Sequence, residues 1–313
     1  MKKLFLLVAL SLMACKTTKV VDANHYQVKE TDVSTTLQYL SSDALEGRDS
    51  GSTGIEKAAN YLEEILKESN IKPYFSSYKD TLSNFDNAFN VVGYLEGTDP
   101  KLKNEFVIFG AHYDHIGITE KGFEGDFINN GANDNASGTT VLSEVAKYLG
   151  KTKNNKRSVL IVFFSAEEKG LLGSKHLAKK LKAQNIDIYA LLNFEMLGVP
   201  MDYDFEMFLT GYTVSNMAKK INEYAGMNLV GKSEGAEKYN LFKASDNYPF
   251  YEEFKIPSHS VSSFDFSNFD YYHHPKDEFE VMDVPFMTNL VQKLLPVVIK
   301  MVNAETREIK MNK

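Results

Sequence analysis

The apolar residues of this chain recur in two alternating spacings, and each spacing predicts a different kind of element. Between residues 53 and 69 they recur every three or four positions, which is the spacing of an amphipathic helix. Short apolar runs favour strands instead, at 90–95, 105–110, 158–164 and 188–194. Further helical patterns cover 138–149, 171–181, 213–225 and 283–303.

The alternation of strands and helices predicts the fold class. It is typical of βαβ units, in which helices cover both faces of a sheet. We therefore expect an α/β fold with a mostly parallel mixed central sheet, covered by helices on both faces, in a single domain. In open α/β sheets ligands bind at the carboxyl ends of the strands, so polar side chains at those ends are the candidates for chemistry.

Composition and charge exclude some classes of function. The chain has 313 residues, of which 43% are hydrophobic, as is usual for a globular protein. Its formal charge is −7 and it contains no basic block, so nucleic acid is not an expected partner, because phosphate binding needs clustered Lys and Arg. A single cysteine excludes an intramolecular disulfide.

Histidine and acidic residues cluster in five short segments that follow predicted strands or lie in loops. The segments cover 110–115, 131–138, 165–168, 192–196 and 271–277. Taken singly they are weak signals, since a histidine after a strand is more often structural and a glycine-rich Asn-Asp-Asn sequence is usually a turn. Taken together they predict a metal site, because imidazole and carboxylate ligands without cysteine suit a catalytic zinc centre with open positions.

The five segments, in this order, resemble the zinc-dependent aminopeptidase family of the MH clan, which includes bacterial leucyl-type di-zinc aminopeptidases. Glutamate carboxypeptidase and glutaminyl cyclase are relatives within it. The resemblance runs from about Leu40 to the C terminus and includes the motifs Leu45-Glu46-Gly47-Arg48 and Ser245-Asp246-Asn247-Tyr248-Pro249-Phe250. It implies a zinc-exopeptidase-like domain that removes N-terminal residues from peptides with two zinc ions.

The resemblance also implies a ligand set. His112 and Glu195 would bind one zinc ion, Glu168 and His273 would bind the other, and Asp134 would bridge the two. His273 is preferred over its neighbour because the family pattern places the ligand four residues before an Asp. Many relatives have Asp where this chain has Glu195, which is longer by one methylene but is still an oxygen ligand.

Three further residues acquire roles through the same resemblance. Glu167 would be the general base, Asp114 would orient His112, and Tyr272 would donate a hydrogen bond to the developing oxyanion. His115 and His274 are expected outside the ligand set, and the role of Asn247, where many relatives have His, stays open.

Other activities share this fold and remain alternatives. A carboxypeptidase or dipeptidase could use the same metal site, and a glutaminyl-peptide cyclase would use a single zinc ion. A non-catalytic binding module would resemble the transferrin-receptor ectodomain, whose metal site is lost. Metal content separates these classes, since two zinc ions per chain favour the peptidase, one favours the cyclase, and none favours the binding module.

The N-terminal residues predict export and a lipid anchor. Lys2 and Lys3 precede an apolar run of eleven residues, which is too short to span a bilayer and is typical of a signal peptide. The sequence Leu12-Met13-Ala14-Cys15 resembles the bacterial lipobox. We expect a lipoprotein signal peptide over 1–14, a tether over 15–24 and the peptidase domain over 25–313. The protein would then be anchored to the bacterial cell envelope through Cys15, facing the periplasm or the surface; the alternative is an ordinary signal peptide with a chance cysteine.

Overall fold

A nine-stranded mixed sheet forms the centre of the computed structural model, which describes residues 25–313. Its order is β1-β3-β7-β4-β8-β11-β9-β10 with β2 paired to β3, while β5 and β6 form a separate hairpin. The strands are β1 Lys72–Pro73, β2 Lys79–Thr81, β3 Phe89–Leu95, β4 Glu105–His112, β5 Gly117–Phe123, β6 Asp126–Asn129, β7 Ser158–Phe164, β8 Asp187–Phe194, β9 Met207–Leu209, β10 Val230–Gly231 and β11 Ser258–Ser262.

The four central strands of the sheet are parallel, and the strands on either side of them run in the opposite direction. β4 is parallel to both β7 and β8, and β11 is parallel to β8. β3 and β9 run antiparallel to their neighbours β7 and β11. Every residue of β7 is buried, as expected for a strand covered on both faces. The predicted mostly parallel, mixed sheet is therefore confirmed.

Helices cover both faces of the sheet, as predicted. They are α1 Glu30–Leu40, α2 Thr53–Glu68, α3 Gly138–Thr152, α4 Leu172–Ala183, α5 Met217–Ala225, α6 Glu234–Lys238, α7 Asn247–Phe254 and α8 Val284–Asn303. Successive strand residues point to opposite faces. Phe109 accordingly packs in the core shared with α1, α2, α3, α5 and α8, whereas Ile108 packs in the core shared with α4 and α7.

The structure contains elements that the sequence pattern did not predict, among them α1, α7 and β11, and one predicted helix begins late. The helix predicted over 213–225 begins only at Met217, because Ser215 pairs with Met311 and its hydroxyl accepts the N–H of Met217. The apolar pattern also does not predict β11, since Val261 is its only aliphatic residue. Its buried hydroxyl groups instead form hydrogen bonds inside the molecule.

The expected lipobox at Cys15 and the tether lie outside the described residues. Within residues 25–313, no helix combines the length and the apolar character that crossing a membrane requires.

Candidate metal centre

The predicted ligands meet at the carboxyl edge of the parallel strands. β4 ends at His112, which is paired in register with Phe164 at the end of β7. Glu168 follows β7 by four residues, and Glu195 directly follows β8. Because these three strands are parallel and adjacent, their ends bring the side chains together at one edge of the sheet.

One group of donor atoms lies inside the molecule, and we call it the interior half of the centre. It comprises His112, Glu195 and the Oδ1 atom of Asp134. The Nε2 atom of His112 lies 2.9 Å from Glu195 Oε1 and 3.4 Å from Asp134 Oδ1. The His112 side chain is only 1% exposed, so this half is almost shielded from solvent.

The second group lies nearer the surface, and we call it the outer half. It comprises Glu168, His273 and the Oδ2 atom of Asp134, with His115 close by. The Nε2 atom of His273 lies 3.1 Å from Glu168 Oε1 and 3.2 Å from Asp134 Oδ2, and this side chain is 34% exposed. The two oxygens of Asp134 therefore face different halves, which is the arrangement of a bridging carboxylate.

The loop 131–137 fixes Asp134 between the two halves. The main-chain N–H groups of Asn133 and Asp134 donate to the Asp277 carboxylate at 2.7 and 3.0 Å. Gly131 has a φ of 56°, and a Cβ atom there would lie 2.2 Å from the carbonyl oxygen of Asp134. A side chain at that position would thus force the loop, and the bridging carboxylate with it, to move.

The two halves fit zinc in donor chemistry and in spacing. Two atoms bound to one tetrahedral zinc ion at the usual ~2.0–2.1 Å lie about 3.3 Å apart. The imidazole–carboxylate distances given above, from 2.9 to 3.4 Å, agree with that spacing. The ligand set contains imidazole nitrogens and carboxylate oxygens, both of which zinc accepts.

Within residues 25–313, no Lys or Arg side chain neutralises the carboxylates of the centre. Among the described residues, no Lys or Arg nitrogen lies within 4.0 Å of Asp134, Glu168 or Glu195, whose charged neighbours are imidazoles. The buried Arg48 guanidinium donates instead to four main-chain oxygens, those of Leu40, Tyr113, Asn130 and Gly131. A cluster of buried carboxylates without such a partner favours a bound metal cation.

Glu167 lines one pocket together with members of both halves but belongs to neither group of donor atoms. Burial raises the pKa of its carboxyl group well above the usual range, and the carboxylates of Asp246 and Glu195 raise it further, while His112 lowers it. Its main-chain N–H donates to the Asp114 carboxylate at 3.2 Å, so the turn after β7 is held in place. A carboxyl group in this setting suits proton transfer.

Asp114 lies beside His112, the residue that the resemblance implies it orients. Its carboxylate lies 3.7 Å from Nδ1 of His112, beyond hydrogen-bond distance. That nitrogen is 3.2 Å from the main-chain oxygen of Asp114. The carboxylate instead accepts the N–H groups of Glu167 and Glu168 and the hydroxyl of Ser50. Orientation of His112 by Asp114 stays a prediction, with the main-chain oxygen as the hydrogen-bonded atom.

Glu195 is held on its far side by a buried serine. The hydroxyl of Ser245 donates to Glu195 Oε2 at 2.6 Å, while Glu195 Oε1 faces His112. Asn193 donates from one amide nitrogen to Ser245 Oγ at 3.0 Å and to Ser260 Oγ at 3.1 Å. Because each hydroxyl oxygen accepts from Asn193, its own hydrogen is free to donate. Ser245 therefore donates to Glu195.

The same network gives Asn247 a structural role. Ser260 donates to its Oδ1 atom at 2.9 Å, and its amide nitrogen donates to the main-chain oxygens of Phe242 and Ser258. The side chain is fully buried and does not reach the donor groups of the metal centre. Asn247 therefore terminates the hydrogen-bond chain that supports Glu195.

A pocket of about 140 Å³ opens onto the centre. Its walls are mainly apolar, and they are formed by Met196, Phe208, Leu241, Phe264, Phe266 and Tyr272. Tyr272 stacks on both Phe264 and His273. Burial raises the pKa of its hydroxyl group, and Asp134 and Glu168 raise it further, so it remains a proton donor.

The structure brings the five predicted ligands, Glu167 and Tyr272 together at one pocket, but the sequence did not identify the residues that support them. In the sequence, Asp277 served only to identify His273 as a ligand by its spacing. In the structure, its carboxylate accepts hydrogen bonds from the loop that carries Asp134. Ser245 lay within a quoted motif without a role. His274, which was placed outside the ligand set, accepts the N–H of Lys276 and packs on Phe123.

Sequence comparisons show what the chain is similar to. The profile of peptidase family M28 matches residues 90–298. Two probable leucine aminopeptidases, from Arthroderma otae and Trichophyton verrucosum, are 30% and 29% identical over 183 and 244 residues. These regions are 56% and 72% of this chain but 46% and 59% of the relatives, so the chain spans about half the length of the curated relatives it matches.

Solved structures show the same fold. The LapA aminopeptidase of Legionella pneumophila superposes with a TM-score of 0.71 at 21% identity, covering 88% of this chain and 72% of that one. A zinc aminopeptidase from Bacillus subtilis gives 0.69 at 17%, with 89% and 96% covered. A glutaminyl cyclase from Bacteroides thetaiotaomicron gives 0.68 at 16%, with 90% and 99% covered. At these identities the likeness concerns the fold alone.

Proposed function

Since the chain belongs to peptidase family M28, we propose that it is a metal-dependent aminopeptidase that hydrolyses the first peptide bond of its substrates. The observation that carries this proposal is the pair of donor groups that share Asp134, with Glu167 beside them at the edge of a pocket. The probable leucine aminopeptidases among its relatives support the same activity.

The proposed centre holds two zinc ions. His112 and Glu195 would hold the inner one, Glu168 and His273 the outer one, and Asp134 would contribute one oxygen to each. When bound, zinc ions here would lower the pKa of water toward about 7 and polarise the scissile carbonyl. The count of two rests on the two separate donor groups.

Glu167 and Tyr272 would carry the proton and the hydrogen bond of the reaction. Glu167, whose carboxylate is not used as a ligand, would take a proton from the attacking water and return it to the leaving amine. The Tyr272 hydroxyl group lines the same pocket and would donate to the oxyanion that develops on the peptide carbonyl.

The charge around the pocket supports cleavage at the amino end. The carboxylates of Asp134, Glu167, Glu168 and Glu195 line it, and among its described lining residues there is no Lys or Arg. With zinc bound, Asp134, Glu168 and Glu195 would offset the charge of the ions, and Glu167 would remain as the lining carboxylate that is not a ligand. An α-amino group can pair with such a carboxylate or coordinate zinc, whereas a C-terminal carboxylate finds no cationic side chain among the described lining residues. Asp246 is fully buried and does not line the pocket, so it is not available to a substrate amine.

A matched set of three peptides tests the proposal. The parent peptide carries an N-terminal leucine, the second is acetylated at its N terminus, and the third is amidated at its C terminus. Mass spectrometry should find the parent and the amidated peptide cut at similar rates and the acetylated one uncut, with Glu167→Gln protein as the blank. Equal cleavage of the acetylated peptide, or resistance of the amidated one alone, would replace this proposal with the carboxypeptidase alternative.

We also propose that the chain is attached to the cell envelope through a lipid on Cys15. The support is the lipobox-like sequence before this cysteine and the basic and apolar residues that precede it. Cys15→Ser should remove the lipid and leave either precursor in the membrane or soluble protein in the periplasm, while Thr17→Ser should leave the lipid-modified protein unchanged. Unchanged partitioning and mass of the Cys15→Ser protein would refute the anchor.

A further inference from the structure

His115 is a fully buried histidine beside the outer half that has no role in the proposed reaction. Its Nδ1 atom lies 3.1 Å from Glu168 Oε1 and 3.8 Å from Asp134 Oδ2. The ring packs closely against Gly131, where a Cβ atom would lie 2.5 Å from it, and the main-chain N–H donates to the Arg48 oxygen. The imidazole is therefore held in one position.

The surroundings of the two ring nitrogens differ, and the difference decides which one carries the proton. Nε2 of His115 is buried and has no hydrogen-bond partner among the described residues, whereas Nδ1 faces the Glu168 carboxylate. A neutral imidazole has one N–H donor and one acceptor. An N–H buried without an acceptor is destabilising, because it loses its hydrogen bond to water and gains none. The hydrogen consequently belongs on Nδ1, where Glu168 Oε1 accepts it.

We propose that His115 is a positioning residue, which donates from Nδ1 to Glu168 and keeps that carboxylate turned toward the outer metal site. This inference rests on the proposed metal centre and deepens it. A carboxylate oxygen has lone pairs for both a metal ion and an N–H donor. Hydrogen bonds of this kind from outside the ligand set hold metal ligands in place.

The proposal also explains how two adjacent glutamates take different roles. Glu168 is held by the Nδ1–H of His115, whereas no hydrogen bond to the Glu167 carboxylate occurs among the described residues. One carboxylate is thus fixed as a ligand, and its neighbour keeps the freedom that a proton carrier needs.

A competing assignment makes His115 a ligand of the outer metal ion. Its Nδ1 belongs to the group of four donor atoms, with Asp134, Glu168 and His273, that lie within 4.8 Å of one another. In that case Nδ1 could not carry a hydrogen, and Nε2–H would be buried without an acceptor. The two assignments therefore predict opposite protonation of Nδ1.

Two substitutions separate these assignments through zinc binding. The amide nitrogen of asparagine can occupy the place of Nδ1, so His115→Asn retains a donor to Glu168 but removes the imidazole. His115→Ala removes both. We expect His115→Ala to weaken the binding of one of two zinc ions by about 10–100-fold, and His115→Asn to stay within a few-fold of the unchanged protein, in competition with a chelating indicator dye.

His176→Ala is the matched control, because that histidine forms hydrogen bonds to Ser83 outside the metal centre. Equal loss of zinc in His115→Asn and His115→Ala would overturn the proposal in favour of a ligand, and unchanged affinity in His115→Ala would overturn any positioning role. If the unchanged protein binds no zinc, the proposed function itself fails, which is a separate outcome.

Nitrogen-15 NMR of the unchanged, zinc-loaded protein tests the tautomer directly, and His115→Asn serves to assign the resonance. A protonated Nδ1 resonance that disappears in His115→Asn is expected. A metal-shifted, unprotonated Nδ1 assigned to His115 would overturn the proposal.

Discussion

The two halves of the centre are built from similar donors but are supported in different ways. In the interior half, His112 ends β4 and Glu195 follows β8, so neighbouring strands of one sheet determine their separation. In the outer half, His273 lies on a loop. Its backbone has a φ of 53°, and its side chain is 34% exposed. Asp134 links the halves from a third segment, the loop 131–137.

This difference has a physical consequence for each half. The interior half is supported by Ser245 and Asn193, which are buried and hydrogen-bonded to each other, with Ser245 donating to Glu195. The outer half depends on the conformation of a loop and, by our proposal, on His115. We therefore expect changes in the interior half to affect the stability of the fold as well as metal binding, and changes in the outer half to affect mainly the metal.

The largest expected effect concerns Glu167, which belongs to neither half. Glu167→Gln should keep both zinc ions and lower turnover by about 10²–10⁴-fold, because the proton carrier is removed. Metal analysis and a chromogenic aminoacyl substrate measure the two effects on the same preparation. If the variant loses both zinc and activity, and excess metal restores them, Glu167 would be a metal ligand and not the general base.

A pair of ligand substitutions tests the comparison directly. His112→Ala and His273→Ala should each lose one zinc equivalent. The loss of zinc affinity should exceed the factor of about 10–100 that is typical when a group outside the ligand set is removed. Thermal unfolding of the metal-free proteins should separate them. His112→Ala should cost about 1–3 kcal/mol because a buried side chain is removed, while His273→Ala should stay near the unchanged protein. Equal destabilisation of both would contradict the distinction between the halves.

A smaller effect is expected when the support of Glu195 is removed. Ser245→Ala should weaken zinc binding in the interior half by about 10–100-fold and leave the second zinc ion in place. Ser143→Ala, which removes another buried hydroxyl whose hydrogen bond lies within α3, is the control. Ser245→Thr keeps the hydroxyl and should restore binding, so a failure of this rescue would point to packing rather than the hydrogen bond.

The smallest effect concerns the pH dependence of stability that His259 causes. This residue lies on β11, which pairs with β8 beside the interior half. Burial lowers the pKa of His259 to about 4, and its ring bonds to Thr210 and Ser215. The unfolded chain binds this proton below about pH 6.5, so the contribution of His259 to stability falls as the pH decreases from there toward 4. The loss should be about 1 kcal/mol at pH 5.5. Urea unfolding of metal-free protein measures it, and His259→Gln should show a shallower decline over that window.

The sequence predicted the fold because its apolar spacing reflects burial. β7 was predicted with its observed bounds, Ser158–Phe164, since every one of its residues is buried. β11 was not predicted, because its serines are buried through hydrogen bonds to distant residues, which leave no apolar pattern. The late start of α5 likewise depends on the pairing of Ser215 with Met311, nearly a hundred residues away.

The sequence by itself determined which residues the chain offers to a metal, and their positions after strands implied that they meet at one edge of the sheet. Only the tertiary structure decided how they are held. The assignment of one Asp134 oxygen to each half requires the Asp277 carboxylate to reach the loop 131–137. The places of Ser245 and His115 depend on contacts 50 and 53 residues away in the chain. Such contacts depend on packing in three dimensions, and the spacing of residues along the sequence does not predict them.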